Sequence, residues 1–154
     1  TIDGIAAEAG ISKGGVLYYF SNKQDLLLGM VERYEVDFYR RRQPILDKIP
    51  ETVVHRRLKA TTMLMLADMK AADDSVPNFQ SVLDDATLRK RVGDFKKRLY
   101  KDITEGIPQP EVAIMVMYMI DGFWMNTNFS PSVVTKTQRN NAFKALLDYL
   151  DSLS

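Results

Sequence analysis

Apolar residues recur along the chain every three or four positions, as on one face of an α-helix, whereas the alternation of a β-strand is almost absent. The first apolar stripe ends at Gly10, a residue type that commonly terminates helices. Ser12 can then cap a second short helix that runs to about Tyr19. The N-terminal pattern therefore predicts two short helices joined by a tight turn.

Six further helices are predicted after this pair. Ser21 and Gln24 fit a capping box at the start of the longest one, which continues towards Pro44. Segments that contain proline, glycine or serine separate most of the others. Their approximate ranges are 51–72, 78–86, 87–105, 111–128 and 135–153. The chain is therefore predicted to be all-α, with about eight helices and no internal repeat.

The first two helices suit a helix-turn-helix, in which two short helices meet at a tight turn that often contains glycine. Ala6 is small where the helices would cross, and Ile11 and Val16 are expected to fill the space between them. We therefore divide the chain into a helix-turn-helix head, residues 1–24, and a helical body, residues 25–154. In this motif the second helix lies in the major groove of DNA.

The second helix and the residues after it carry groups that suit contacts with DNA. Hydroxyl, phenol and ammonium groups bind phosphates and base edges, and the N–H groups after the cap suit a phosphate oxygen. These side chains are Ser12, Lys13, Tyr18, Tyr19 and Lys23. Gly14 and Gly15 each weaken a helix by about 1 kcal/mol against alanine, and close approach of the backbone to DNA would explain them. A purely structural helical hairpin is the other interpretation. The phosphate-loop pattern G-x-x-x-x-G-K-[ST] is absent.

Composition argues against several other functions. The chain has no cysteine and one histidine, His55, which removes thiolate metal sites and leaves little for a Ser-His-Asp triad or a histidine cluster. No pair of carboxylates has the spacing of metal ligands. We therefore expect no enzymatic activity, no metal and no cofactor, and we expect His55 at the surface or at the edge of the helical bundle.

Charge and hydropathy bear on the location of the protein. The longest apolar run, residues 112–120, is far shorter than the roughly 20 residues of a membrane-spanning helix. The absence of cysteine fits a reducing cytosol. We expect a cytoplasmic protein that does not bind membranes. The net charge of +1 supplies no global basic field, so any DNA binding must depend on local charge.

The segment from Ile5 to Leu27, I-A-x-x-A-G-I-S-K-G-G-V-L-Y-Y-F-S-N-K-x-x-L-L, resembles the DNA-binding motif of the TetR family of bacterial transcriptional repressors. The resemblance implies a homodimer whose larger helical domain binds a small-molecule effector and thereby releases a quasi-palindromic operator. Carried over position by position, it implies DNA contacts at the residues named above, with Thr1 opening the first helix of the motif. They are Thr1, Ser12, Lys13, Gly14, Gly15, Tyr18, Tyr19 and Lys23.

Two features depart from the pattern of the family. Many members have threonine in place of Gly15 and tyrosine in place of Leu17, so the base preference does not carry over. Members also carry an extra helix ahead of the motif, and this chain begins at Thr1, after the point where that helix would end. As given, the head is expected to be under-packed and to bind DNA poorly.

In the body, the predicted helix from Val112 to Met125 is apolar nearly all round. Such a helix must be covered on several sides, which indicates a partner chain or a cavity in addition to the core. Its segment M-I-D-G-F-W also resembles a pattern in the C-terminal domains of the family, where the last two helices of each chain pair. We therefore expect a homodimer formed through residues of about 111–128 and 135–153.

The effector site has two interpretations at the level of sequence. Methionines line adaptable apolar pockets, but they also fill ordinary cores. The candidate ligand-binding residues are Met63, Met65, Phe79, Phe95, Tyr118, Asp121, Trp124 and Met125. A carboxylate within an apolar run is costly unless it is paired, so Asp121 should cap a helix, meet an arginine or recognise a cationic or hydroxylated ligand. The run 40–42 of three arginines is expected to be an exposed helix end.

The leading hypothesis is a ligand-responsive repressor that a small molecule releases from its operator. The alternatives are a helical small-molecule-binding protein or an adaptor, each with a DNA-binding head that does not function. An enzyme would need a catalytic constellation, and the sequence offers none.

Overall fold

The computed structural model describes residues 1–71, 85–129 and 133–153, with the side chains of 127–129 excepted. Within these ranges the chain forms seven α-helices and no β-strand, which confirms the all-α prediction. They are α1 (Ile2–Glu8), α2 (Lys13–Tyr19), α3 (Lys23–Leu46), α4 (Arg56–Ala71), α5 (Ala86–Thr104), α6 (Pro110–Phe129) and α7 (Lys136–Ser152). The helix predicted at 78–86 lies almost wholly outside the described residues.

The chain divides into two compact units. The head unit consists of Thr1–Phe38 with Phe79–Phe95, and the body unit of Tyr39–Asn78 with Lys96–Ser154. Both α3 and α5 contribute residues to each unit. The functional division predicted between residues 24 and 25 stays a prediction.

In the head unit, α1 packs against α2 around two buried small side chains, Ala6 and Val16. Gly10 has φ = 67°, and its N–H donates to the carbonyl of Ala7 while the N–H of Ile11 donates to that of Ala6. This pair of bonds is a Schellman motif, which needs a left-handed residue and so favours glycine. Ile11 was expected between the helices, but its side chain is exposed because the residue is held on the turn itself.

The capping box predicted at Ser21 and Gln24 is wrong by one residue. The side-chain oxygen of Asn22 accepts from the N–H of Asp25 at 2.9 Å, and its amide donates to the Asp25 carboxylate at 3.1 Å. Asn22 is therefore the cap, since α3 begins at Lys23. A single sequence cannot separate two adjacent capping residues, Ser21 and Asn22, because both types are favourable caps.

In the body unit, α4 packs against α6 and α7. The helix begins at Arg56 and not near residue 51, because turns occupy the segment between them, with Val53 N–H donating to Pro50 and Arg56 N–H donating to Val53. The run of β-branched residues there, 52–54, is a weak helix former. The last helix begins as predicted, with a capping box between Thr135 and Gln138.

Two polar residues lie deeper than expected. His55 is buried, so its predicted place at the surface or the bundle edge is wrong. Of the three arginines at the end of α3, Arg42 is buried, where Asp102 accepts from its guanidinium at 2.6 Å and Thr61 at 3.1 Å. A buried charge needs such a partner, and this one lies 60 positions away in the sequence.

Candidate nucleic-acid interface

The two short helices of the head both begin at a hydroxyl cap. Thr1 Oγ1 accepts from the N–H of Gly4 at 3.1 Å, and Ser12 Oγ accepts from the N–H of Gly15 at 3.0 Å. These bonds satisfy N–H groups that a helix start leaves unpaired. Each hydroxyl keeps its own O–H, which can still be donated to an outside acceptor. The structure thus gives both residues a capping role, and their role towards DNA stays a prediction.

Four of the long side chains predicted to meet DNA are exposed: Lys13, Tyr18, Tyr19 and Lys23. Tyr18 is 82% exposed and Tyr19 76%, and the two rings meet edge to face with centroids 4.9 Å apart. Aromatic residues usually bury most of their area, so two neighbouring exposed tyrosines on a seven-residue helix are unusual. They supply both an apolar ring and a hydroxyl donor to any partner of α2.

Packing against the described residues of the head does not require the glycines of α2. A methyl group at Gly14 would come within 3.8 Å of Ser12 Oγ, and one at Gly15 within 3.4 Å, both ordinary contact distances. Neither residue has a positive φ. Alanine would therefore fit at both positions and would favour the helix. The described part of the head thus gives no packing reason for glycine here, and a close approach of the α2 backbone to a partner molecule would supply one.

An acidic residue of α1, Asp3, lies beside this helix. The ammonium of Lys13 donates to Asp3 Oδ2 at 3.0 Å, which joins α2 to α1. Both side chains are more than half exposed. The ten-residue separation gave no signal in the sequence, because it depends on how the two helices cross.

The start of α3 is joined to the start of α5 within the head unit. The Gln24 amide next to Lys23 donates to the Asp85 carboxylate at 3.0 Å. Asp85 also accepts from the N–H groups of Leu88 and Thr87 and so caps α5. The hydrogen bond from the backbone N–H of Leu88 is the largest cause that holds the pKa of Asp85 below its usual value of 3.8. The backbone N–H of Thr87, the side-chain amide of Gln24 and the charge of Arg89 act in the same direction.

A second junction between these helices is an ion pair. The Arg91 guanidinium of α5 lies 3.3 Å from the Glu35 carboxylate and 3.7 Å from that of Glu32, both on α3. Two turns of α3 are thereby tied to one turn of α5. Arg91 thus turns towards α3, although it lies in a basic stretch of the sequence, residues 89–91.

One glycine of the head is fixed by packing. A methyl group at Gly29 of α3 would come within 2.8 Å of Cε1 of Phe20, the residue that ends α2. Real Cβ atoms do not approach so closely, so the ring would have to move. Gly29 therefore sets how closely α3 passes the end of α2. A glycine between leucine and methionine was the only sequence signal for this contact.

The candidate ligand residues differ in the unit to which they belong and in their exposure. Phe95 belongs to the head unit, where its ring lies 5.6 Å from that of Phe38, and Phe79 lies outside the described residues. Tyr118 and Met125 are exposed on α6, and Met63 is exposed on α4. Met65 and Trp124 are partly buried. The assignment of these residues to an effector site stays a prediction.

Asp121 meets a lysine in place of the arginine or cap considered from the sequence. The ammonium of Lys96 on α5 donates to its carboxylate at 2.6 Å, and both side chains remain partly exposed. Burial raises the pKa of the nearby Tyr100 phenol, and the charge of Asp121 and then Tyr118 add to the effect. Asp121 is the one acidic residue of α6 beyond the first turn of that helix.

The two faces of α6 differ. The face towards α4 is buried and consists of Val112, Ala113, Val116, Met117 and Ile120. The other face exposes large apolar side chains, with Met115 at 55% and Tyr118 at 68%. Ile114, Met119 and Met125 continue it. A methyl group at Gly122 on this face would meet no atom within 4 Å.

Other kinds of site find no support in the part of the chain that the structure describes. No group of three or more acidic or histidine side chains among those residues could hold a metal ion. Within the same ranges no helix is both long and apolar enough to cross a membrane.

Comparison with protein families matches the two parts of the chain separately. The family described as bacterial regulatory proteins, tetR family, matches residues 1–30, which include α1, α2 and the start of α3. The family described as tetracyclin repressor-like, C-terminal domain, matches residues 55–151, more than half of the chain. A comparison with curated proteins found no match to the chain. With its helix-turn-helix of exposed lysines and tyrosines, the chain belongs to the TetR family and is a DNA-binding transcriptional regulator.

Proposed function

We propose that this protein is a repressor that binds a quasi-palindromic operator as a homodimer and leaves it when a small molecule binds the body unit. The observation that carries the proposal is α2, which combines exposed Lys13, Tyr18 and Tyr19 with two glycines that packing against the described residues of the head does not require. Such a regulator works in the bacterial cytoplasm, where the chromosome lies.

In the complex, α2 lies in the major groove with its N-terminal residues towards the bases. Gly14 and Gly15 let the helix backbone come close to the DNA. Lys13 reaches a phosphate or a guanine edge, and the tyrosines donate to phosphates or pack on thymine methyl groups. Lys23 binds a further phosphate at the start of α3, and Thr1 and Ser12 donate their hydroxyl hydrogens.

Dimerisation follows from the uncovered face of α6. Met115, Tyr118 and Met119 form a run of exposed apolar side chains, and contiguous apolar surface of this kind marks interaction sites. A second copy that packs α6 and α7 against their counterparts would cover it, with Gly122 allowing close approach of the helices. Twofold symmetry then sets two α2 helices about 34–36 Å apart, as successive major grooves require.

Release by an effector is proposed to pass through α5. Its second half belongs to the body unit, where Lys96 pairs with Asp121, and its first half to the head unit, where Asp85 and Arg91 bind α3. An effector that binds the body and shifts α5 would therefore move the start of α3 and the α2 helix beside it. Once the two α2 helices lose their spacing, both cannot occupy the operator.

Selection from random duplexes followed by footprinting tests the proposal. We expect enrichment of an inverted repeat with half-site centres about one helical turn, or a multiple of it, apart, and protection of both halves. A thermal-shift screen then identifies an effector, which should reduce protection. Binding of a small molecule without protection of any duplex would contradict the proposal. It would favour the alternative of a small-molecule-binding protein whose head does not bind DNA.

The dimer has its own test. Met115→Glu places a charge in the proposed interface and should convert a dimer into a monomer in size-exclusion chromatography with light scattering. Val36→Glu is the matched control, because Val36 is exposed to a similar extent on α3. A Met115→Glu protein that stays dimeric would exclude this face of α6 as the interface.

A further inference from the structure

The DNA-binding surface proposed above contains a carboxylate next to its first cation. Asp3 Oδ2 lies 3.0 Å from the Lys13 ammonium, and the two side chains are 67% and 56% exposed. Lys13 is the first residue of α2, where a recognition helix contacts DNA. A DNA phosphate offers Lys13 the same kind of partner, a charged oxygen. Asp3 therefore competes for this cation with the DNA that the helix would bind.

The strength of the pair decides how this competition ends. An exposed ion pair is weak, since water and salt screen it. A complex that fixes Lys13 against a base edge or phosphate can open the pair. In a loose complex, DNA lies against the head without fixed contacts, so the contacts that Lys13 could form do not offset the loss of its pair with Asp3. The Asp3 carboxylate also repels nearby phosphates. The ion pair therefore lowers the affinity for DNA more in a loose complex than in one with fixed contacts.

We propose that Asp3 is a positioning residue that holds Lys13 away from non-specific DNA and so raises the preference of the protein for its operator. The inference rests on the proposed DNA contact of α2 but adds a role for α1 that the DNA contacts themselves do not require.

The test compares two variants of α1 that remove the same charge. Asp3→Asn frees Lys13, whereas Glu8→Gln changes the other acidic residue of the helix, which is also exposed. Binding of the whole chain to a mixed-sequence duplex of about three helical turns is measured by fluorescence anisotropy across a salt series, beside binding to the selected site. Thermal unfolding of each variant is recorded as well.

For Asp3→Asn we expect non-specific affinity to rise roughly two- to fivefold, the range that opening an exposed pair allows. The slope of log affinity against log salt should steepen by about 0.9 for each protomer, because one more phosphate is neutralised. Affinity for the selected site should rise less, so the specificity ratio falls. A merely structural role of Asp3 would change thermal unfolding without steepening the slope.

Lys13→Ala provides the second half of the test. With Lys13 removed, Asp3→Asn should change non-specific binding no more than Glu8→Gln does. Equal effects of Asp3→Asn and Glu8→Gln in the parent chain would overturn the inference while leaving DNA binding intact, as would an Asp3→Asn effect that persists without Lys13. Failure of the parent chain to bind either duplex would contradict the proposed function itself.

Discussion

In the head unit Lys13 and Asp3 meet with 56% and 67% of their side chains exposed, whereas in the body unit Arg42 is 6% exposed and its partner Asp102 28%. Lys13 can exchange Asp3 for another anionic group at little cost in free energy, because water solvates both ions. Arg42 cannot give up Asp102 in this way, because a buried guanidinium is strongly destabilising without a carboxylate partner. This difference agrees with a head that binds and releases DNA and a body that must keep its shape.

The same contrast holds for apolar groups. The head presents tyrosines 18 and 19 to solvent, while the body encloses residues such as Leu58, Leu99 and Ile103. The body also exposes apolar side chains on α6, such as Met115 and Tyr118, and we assign this face to a second copy of the chain. Part of the exposed apolar surface of each unit therefore lies where a partner is proposed.

The largest expected effect breaks the buried pair. Asp102→Ala leaves Arg42 without its carboxylate and should lower the free energy of unfolding by about 3 kcal/mol, the low end for a broken buried pair, because Asp102 is partly exposed. Asp3→Ala should lower it by less than about 1 kcal/mol. Urea unfolding measures both, and equal losses would remove the distinction between the two units.

Gly29→Ala tests the close packing inside the head. The added methyl group would meet the Phe20 ring at 2.8 Å, so we expect a loss of about 1–3 kcal/mol, as for other overpacked positions. Gly93→Ala, on α5 of the same unit, meets no atom within 4 Å and should raise stability by about 0.5–1 kcal/mol. Urea unfolding that gives both variants the same sign of change would argue against this packing.

Gly14→Ala separates folding from binding. Alanine fits the free head, so the free energy of unfolding should rise by up to about 1 kcal/mol. Affinity for the selected operator should fall roughly tenfold, since a lost contact at this kind of surface is worth about 1–3 kcal/mol. Anisotropy and urea unfolding on the same protein give both numbers. Unchanged affinity would mean that the backbone of α2 stays away from DNA at this point.

The smallest expected effect concerns acid. Because the pKa of Asp85 is lowered in the folded protein, the carboxylate contributes stability that is complete above its usual pKa of 3.8 and is lost as pH falls through the lowered value. Asp85→Asn keeps a residue suited to cap α5 but cannot titrate. Its difference from the parent chain should therefore shrink below about pH 4, as followed by thermal unfolding. A difference that is constant with pH would contradict the role of the charge.

The sequence predicted those features that depend on neighbouring residues. Gly10, Ser12 and Thr135 mark helix ends through local backbone chemistry, and the structure confirms all three. Leu88 and Leu99 of α5 recur in the sequence at the spacing of one helix face, and both are buried. Local rules could not choose between Ser21 and Asn22, since both residue types cap helices well.

Features that join distant parts of the chain escaped prediction. Arg42 was placed at an exposed helix end because its neighbours in the sequence are arginines, but its partner Asp102 is on another helix. Lys13 with Asp3 and Phe20 with Gly29 are likewise set by how helices cross. For the candidate interface, the sequence therefore predicts residues that face DNA, but it indicates neither the acid beside them nor the contact of Gly29 with Phe20.

The central claim is that α2 and the start of α3 meet DNA while the exposed face of α6 meets a second copy of the chain. Titration of isotope-labelled protein with the selected duplex, followed through the backbone amide signals in NMR spectra, tests it most directly. We expect the signals from Ser12 to Tyr19 and at Lys23 to shift, while those of Met115 and Tyr118 do not. Shifts confined to α6, or none in α2 despite binding, would contradict it.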